Sequence, residues 1–285
     1  MSADHARDVP GGDATVPRRF IARHSAVVRI THWVNVLCFS LLLMTGAQIF
    51  NAHPRLYWGA YGADQDGAWL SIEARSGAGT SRGELRLGDL GIPTTGVLGV
   101  SLEDGAATAR AFPAWLTIPS YQDLAAGRRW HFFFAWLFVI NGLVYLVAGL
   151  YQRHFVGDLV PARAELRPAH LAEEVANHAR LRFAHGDTAR GYNTLQKLTY
   201  LGVIFVLLPL MMLTGWTMSP GLDSAFPFLL DLFGGRQSAR SIHFISAWSL
   251  VAFVAVHLVM VAVSGAWNNL RSMVTGRYAI DGVHR

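Results

Sequence analysis

The chain has 285 residues, of which 52% are hydrophobic and only 15% charged, a balance foreign to soluble domains of this length. Its net charge of +5 comes from basic residues spread over several segments, which argues against a nucleic-acid-binding patch. The single cysteine, Cys38, excludes an internal disulfide.

In chain order, a polar tail (1–27) carries Arg7, Arg18, Arg19 and Arg23 and has no short apolar segment ahead of a small-residue cleavage site. It reads as a tail, with no cleaved signal peptide. Four stretches then lack Asp, Glu, Lys and Arg: 30–50, 130–152, 198–222 and 241–270. Each reaches the roughly 20 residues of helix that cross a hydrocarbon core. Because lipid offers no partner to a bare backbone amide, each is predicted to be a helix. The expected fold is an all-α integral membrane protein, a bundle of four transmembrane helices at 28–50, 128–152, 194–218 and 239–265.

Lys and Arg accumulate on the cytoplasmic side of a membrane. The tail 1–27, the loop 153–193 and the tail 266–285, with the adjoining span ends, hold 15 basic and 9 acidic residues, against 9 basic and 10 acidic on the other side. Both termini are therefore expected in the cytoplasm, with the loops 51–127 and 219–238 on the external side of the membrane. The long outer loop has short apolar segments at 69–72 and 85–90 between Gly-rich turns, a pattern of small β structure. In the inner loop, Leu171, Val175 and Leu181 alternate with charges after Pro168, as in an amphipathic surface helix. No internal repeat stands out.

Ionisable side chains inside spans are costly and usually functional. Only four remain: His32, His131, His243 and His257. The last two are 14 residues apart on the fourth span, about four helical turns and a rise of roughly 21 Å. Ligands of one metal ion converge within a few ångströms, so this spacing points to two stacked cofactors. Depth pairs His32 with His257 on the cytoplasmic side and His131 with His243 on the external side, with none left over. Two bis-histidine haems of b type meet that pattern, since both axial positions are filled and electron transfer is favoured over oxygen activation. No C-x-x-C-H run is present for covalent attachment.

Arg29, Arg128 and Arg240 each precede a proposed ligand by three residues, on its helical face, and are candidates for haem propionates; positive flanking of helix ends explains them equally. Gly46 lies at the depth of the external haem, where a missing side chain leaves room for a porphyrin, although helix packing explains it as readily. Tyr192, Asn193 and Gln196 cluster with Lys197 at the inner start of the third span, as donors for a quinone head group or as interfacial anchors in which Asn193 caps the helix.

The segments Arg29–Trp33 (RITHW) and Arg128–His131 (RRWH), with the two histidines 14 apart in the last span, resemble the bacterial cytochrome b561 and nickel-iron hydrogenase b-type cytochrome superfamily. Membrane subunits of formate dehydrogenase and thiosulfate reductase belong to it. The segments 234–244 (GGRQSARSIHF) and 192–197 (YNTLQK) are similar to one branch whose members accompany molybdopterin-dependent oxidoreductases. The resemblance implies a di-haem subunit that exchanges electrons between membrane quinone and an external redox protein, of molybdopterin or hydrogenase type. A superoxide:quinone oxidoreductase acting alone is the alternative, and a basic funnel over the external haem, from Arg128, Arg129 and Arg240, would favour it. A proton-linked transporter lacks a buried Asp or Glu partner for the histidines.

Overall fold

A computed structural model describes residues 19–63, 66–77, 80–180 and 193–280. Strand β1 (Arg19–Ala22) leads into helix α1 (Ala26–Phe50), which starts at Ser25, whose hydroxyl accepts the Val28 N–H at 3.4 Å. Between α1 and the next long helix lie six strands: β2 (Arg55–Leu56), β3 (Leu70–Gly77), β4 (Thr80–Leu87), β5 (Leu90–Pro93), β6 (Gly99–Glu103) and β7 (Ala106–Arg110). Helix α2 (Leu124–Tyr151) follows, its first turn capped by the Asp123 carboxylate, which accepts the Ala126 N–H at 2.9 Å. A short helix α3 (Pro168–Ala179) precedes the third long helix.

That third helix is α4 (Thr194–Gly202), a π-helical turn (Val203–Leu207) and α5 (Leu208–Thr217) in continuous succession. Pro209 accounts for the widened turn: it has no N–H to give the preceding turn, and its ring crowds that turn's carbonyl. Short helices α6 (Pro220–Ala225) and α7 (Phe228–Leu232) lead to α8 (Arg236–Val263). The charge-free run 241–270 is not one helix. Gly265, at φ +105°, breaks it, and α9 (Ala266–Thr275) continues to strand β8 (Arg277–Ile280).

Among the described residues, four helices are thus long and apolar enough to cross a membrane: Ala26–Phe50, Leu124–Tyr151, Thr194–Thr217 and Arg236–Val263. Their outward faces are apolar too; Val147 and Leu150 on α2 and Val256 and Leu258 on α8 are mostly exposed. A helix that is apolar all round belongs in lipid or in a large core. Helix α1 packs along α2, and α5 along α8, giving two antiparallel pairs. The pairs make opposite ends of the bundle distinct.

At one end, β1 and β8 form an antiparallel clasp, with Arg19 opposite Ile280 and Ala22 opposite Arg277. The Asn268 side chain fastens it to α9, accepting the Ala279 N–H at 2.9 Å and donating to the Ala279 carbonyl at 2.8 Å. At the other end the six strands form a cap: an antiparallel sheet β2-β3-β4-β5 and the hairpin β6-β7. Gly99, at φ +76°, lets the hairpin cross the sheet; a Cβ there would come within 2.5 Å of the Glu73 carbonyl oxygen.

The cap shares its core with the helices. Phe50 of α1 packs with Leu56, Leu70, Ile72 and Phe112, and Phe244 of α8 closes the cluster. Polar contacts lock the same joint. The Gly59 carbonyl accepts the N–H groups of Gln237 and Ser238 at 3.1 Å, satisfying the first turn of α8. Trp69 donates to the Ser241 hydroxyl at 2.9 Å, and that hydroxyl donates to the Tyr57 carbonyl at 2.6 Å. Gly235 (φ +109°) has Ala60 so close that a Cβ would sit 2.5 Å from its Cα, so only glycine fits.

Candidate functional site

The four intramembrane histidines meet in two pairs. His32 of α1 faces His257 of α8 with ring centres 6.3 Å apart and planes at 61°; His131 of α2 faces His243 of α8 at 6.4 Å and 62°. A metal–imidazole bond of about 2 Å, plus about 1.1 Å from that nitrogen to its ring centre, doubled, gives about 6.2 Å across a metal held by two rings. Both pairs match this span. Among the described residues no three His, Cys, Asp or Glu side chains converge on one point. A bare ion wants three or four protein ligands, whereas two opposed imidazoles suit a metal whose other positions belong to a planar macrocycle.

The surroundings of His131 and His243 repeat one another. Thr45 Oγ1 lies 3.0 Å from His131 Nδ1, and Thr214 Oγ1 lies 3.0 Å from His243 Nδ1. The next residue in each case is glycine, and a Cβ on Gly46 or Gly215 would stand 3.5 Å from the Cε1 of the same imidazole. Each glycine therefore keeps open a space beside its ring that a methyl group would fill, as a bulky flat cofactor requires. His32 and His257 have aromatic neighbours instead: Trp33 edge-on to His32 at 5.4 Å, and Phe253 stacked on His257 at 6.0 Å. Near them the Asn141 amide of α2 donates to the Thr31 carbonyl at 2.8 Å and to Asn35 Oδ1 at 2.7 Å, a polar clamp onto α1.

Of the three arginines expected near propionates, Arg29 donates to the Val274 carbonyl at 2.6 Å, while its buried Nε has no hydrogen-bond partner among the described residues. Arg240 donates to the carbonyls of Arg55 (2.8 Å) and His53, tying α8 to the base of the cap. Arg128 lies over the Phe132 ring at 5.6 Å. Tyr192 lies outside the described residues. Asn193 and Gln196 form a reciprocal capping box: Asn193 Oδ1 accepts the Gln196 N–H at 2.9 Å and Gln196 Oε1 accepts the Asn193 N–H at 3.2 Å. Lys197 binds the Glu165 carboxylate at 3.0 Å, and this bond holds Glu165 below the usual carboxylate range.

The sequence reading passed over Thr45, Thr214, Asn35 and Asn141, because it searched the spans for ionisable groups alone. It also passed over Arg110, which is buried and binds Glu103 (3.0 Å), the Ser120 carbonyl (2.8 Å), Thr117 (2.9 Å) and Gln48 of α1 (3.2 Å). A signal existed for the threonines. Met-Thr-Gly at 44–46 and Leu-Thr-Gly at 213–215 each precede an Arg-x-x-His, at 128–131 and 240–243, a short repeat hidden by the very different lengths between its parts.

A four-helix membrane bundle in which histidines face one another in pairs between the spans defines a membrane haem protein of electron transfer. The family model of prokaryotic cytochrome b561 matches residues 23–276, and the chain belongs to that family. It is a multi-pass bacterial membrane protein carrying haem b. A relative from Azospira oryzae, named "Putative protein-methionine-sulfoxide reductase subunit YedZ1", is 26% identical over 245 residues, 86% of this chain and 92% of the relative. No solved structure matches the chain.

Proposed function

We propose that the chain is a di-haem membrane subunit that carries electrons between the quinone pool and a redox protein docked on the cap side. The observation that supports this most is the pairing of His32 with His257 and His131 with His243 at 6.3 and 6.4 Å. Two haems held there, separated along α8 by roughly 21 Å, would form one route across the bilayer. Bound haem would supply one-electron chemistry, and the four histidines would hold it, with an apolar surround and charge compensation from neighbouring residues. The unpartnered Nε of Arg29 is a donor fit for a propionate at the clasp end, and Arg128 is the candidate at the cap end. Arg240 keeps its place in that proposal only through whatever its two backbone carbonyls leave free.

The bias of Lys and Arg puts the clasp and both termini in the cytoplasm, and the cap, 51–127, outside the inner membrane. The relative's name makes it a subunit of a methionine-sulfoxide-reducing enzyme, and the resemblance of 234–244 to the molybdopterin-associated branch points the same way. We therefore assign a molybdopterin-dependent oxidoreductase as the partner, with the folded cap as its landing surface in place of an open funnel for superoxide. Quinone is assigned to the cytoplasmic haem, near Asn193 and Gln196. Haem extraction with optical and paramagnetic spectra tests the core of this reading. Two low-spin b haems per chain are expected; one haem, or a mainly high-spin ferric signal, would overturn it.

A further inference from the structure

We propose that Thr45 and Thr214 are positioning residues that lock His131 and His243 into a single tautomer and stabilise the oxidised state of the iron between them. The inference rests on the assignment of those histidines as haem ligands. A threonine hydroxyl has one proton and two lone pairs. Thr45 Oγ1 is 2.7 Å from the Leu41 carbonyl and 3.2 Å from that of Leu42; Thr214 Oγ1 is 2.6 Å from the Leu210 carbonyl and 3.3 Å from that of Met211. Carbonyl oxygens only accept, so each hydroxyl proton is committed to the helix backbone. Toward the imidazole 3.0 Å away, the hydroxyl oxygen is left as an acceptor.

Nδ1 must then carry the hydrogen, and the lone pair of a neutral ring falls on Nε2, the nitrogen left to bind metal. An imidazole that donates from Nδ1 is a stronger electron donor at Nε2, which favours the higher charge of ferric iron. Nothing comparable serves the other pair. Among the described residues, His32 and His257 make ring contacts and no side-chain hydrogen bond, and the Thr31 hydroxyl turns back to the Val27 and Val28 carbonyls.

Equilibrium redox titration of the haem-loaded full chain, followed optically, tests this in Thr45→Val, Thr214→Val, the double variant and the corresponding serine variants. Valine keeps the methyl and removes the hydroxyl; serine does the reverse. The double valine variant is expected to shift the reduction equilibrium of one haem about tenfold toward ferrous, 59 mV for one electron, and to leave the other haem unchanged. The serine variants should titrate like the parent. Loss of one haem in the valine variants with its retention in the serine variants would support the same role through ligand orientation. Valine variants that titrate like the parent, or serine and valine variants that shift alike, would overturn it. Failure of the underlying ligand assignment is read separately: His131→Ala would then keep both haem signals.

Discussion

At the capped end of the bundle, His131 and His243 each meet a threonine hydroxyl and lie under a β structure that shares its apolar core with α1 and α8. At the clasp end, His32 and His257 are the same distance apart, but their ring neighbours are Trp33 and Phe253, and a two-stranded ladder is the β structure at that end. Identical residue types are thus placed in unlike surroundings. Hydrogen bonds constrain both the tautomer and the torsion of a ring, whereas aromatic contacts constrain mainly its plane. The pair separation is set by helix packing, and the chemistry of each pair by its neighbours.

The sharpest way to break this comparison is to remove one ring at a time. His131→Ala or His243→Ala should lower haem content from two to one per chain and remove the cap-end spectrum, and His32→Ala or His257→Ala should remove the other. A His32 variant whose spectrum matched that of the His243 variant would reverse the pairing.

Arg110→Ala should act on one end only. It strands Glu103 and Gln48, at a cost of about 3 kcal/mol, the low end for a broken buried pair because Glu103 stays one quarter exposed. Limited proteolysis should cut within 51–127, and on heating the cap-end haem spectrum should fail before the clasp-end one. Simultaneous loss of both spectra would show that the ends are not independent.

A smaller effect is expected at the clasp-side start of the third span. Gln196→Leu leaves the bond from its own N–H to Asn193 in place, while Asn193→Leu removes the cap at about 1 kcal/mol. If quinone binds there, quinol-driven haem reduction slows in both variants while both haem spectra persist. Unchanged rates in both would move the quinone site to the cap-end haem.

The bundle was legible because membrane solvent leaves a coarse imprint: uncharged runs of sufficient length, interrupted only by histidines. The depth pairing followed from chain direction and helical rise alone, and the rings do stand in those pairs. What was not legible depended on contacts between distant segments. Arg240 looked like a helix-end cation on an anion's face, yet Arg55 and His53, 185 and 187 residues earlier, supply its carbonyl partners. Arg110, within the outer loop 51–127, is an anchor under the cap, because β6 and β7 fold its neighbours around it. Asn193 and Gln196 showed a shared face in sequence, but not that each side chain is already occupied by the other's backbone N–H. Thr45 and Thr214 carry no charge, so a search by electrostatic cost could not find them.

The clasp has a mechanical consequence. Arg19 and Ile280 stand opposite each other at its open end, while the strands run from there toward α1 and α9. Tension drawn between the two ends of the chain therefore loads the rungs one after another, Arg19 with Ile280 first and Ala22 with Arg277 last. A ladder pulled in that direction opens like a zip, at far lower force than one sheared along its length, and it would part before any span is drawn from the bilayer.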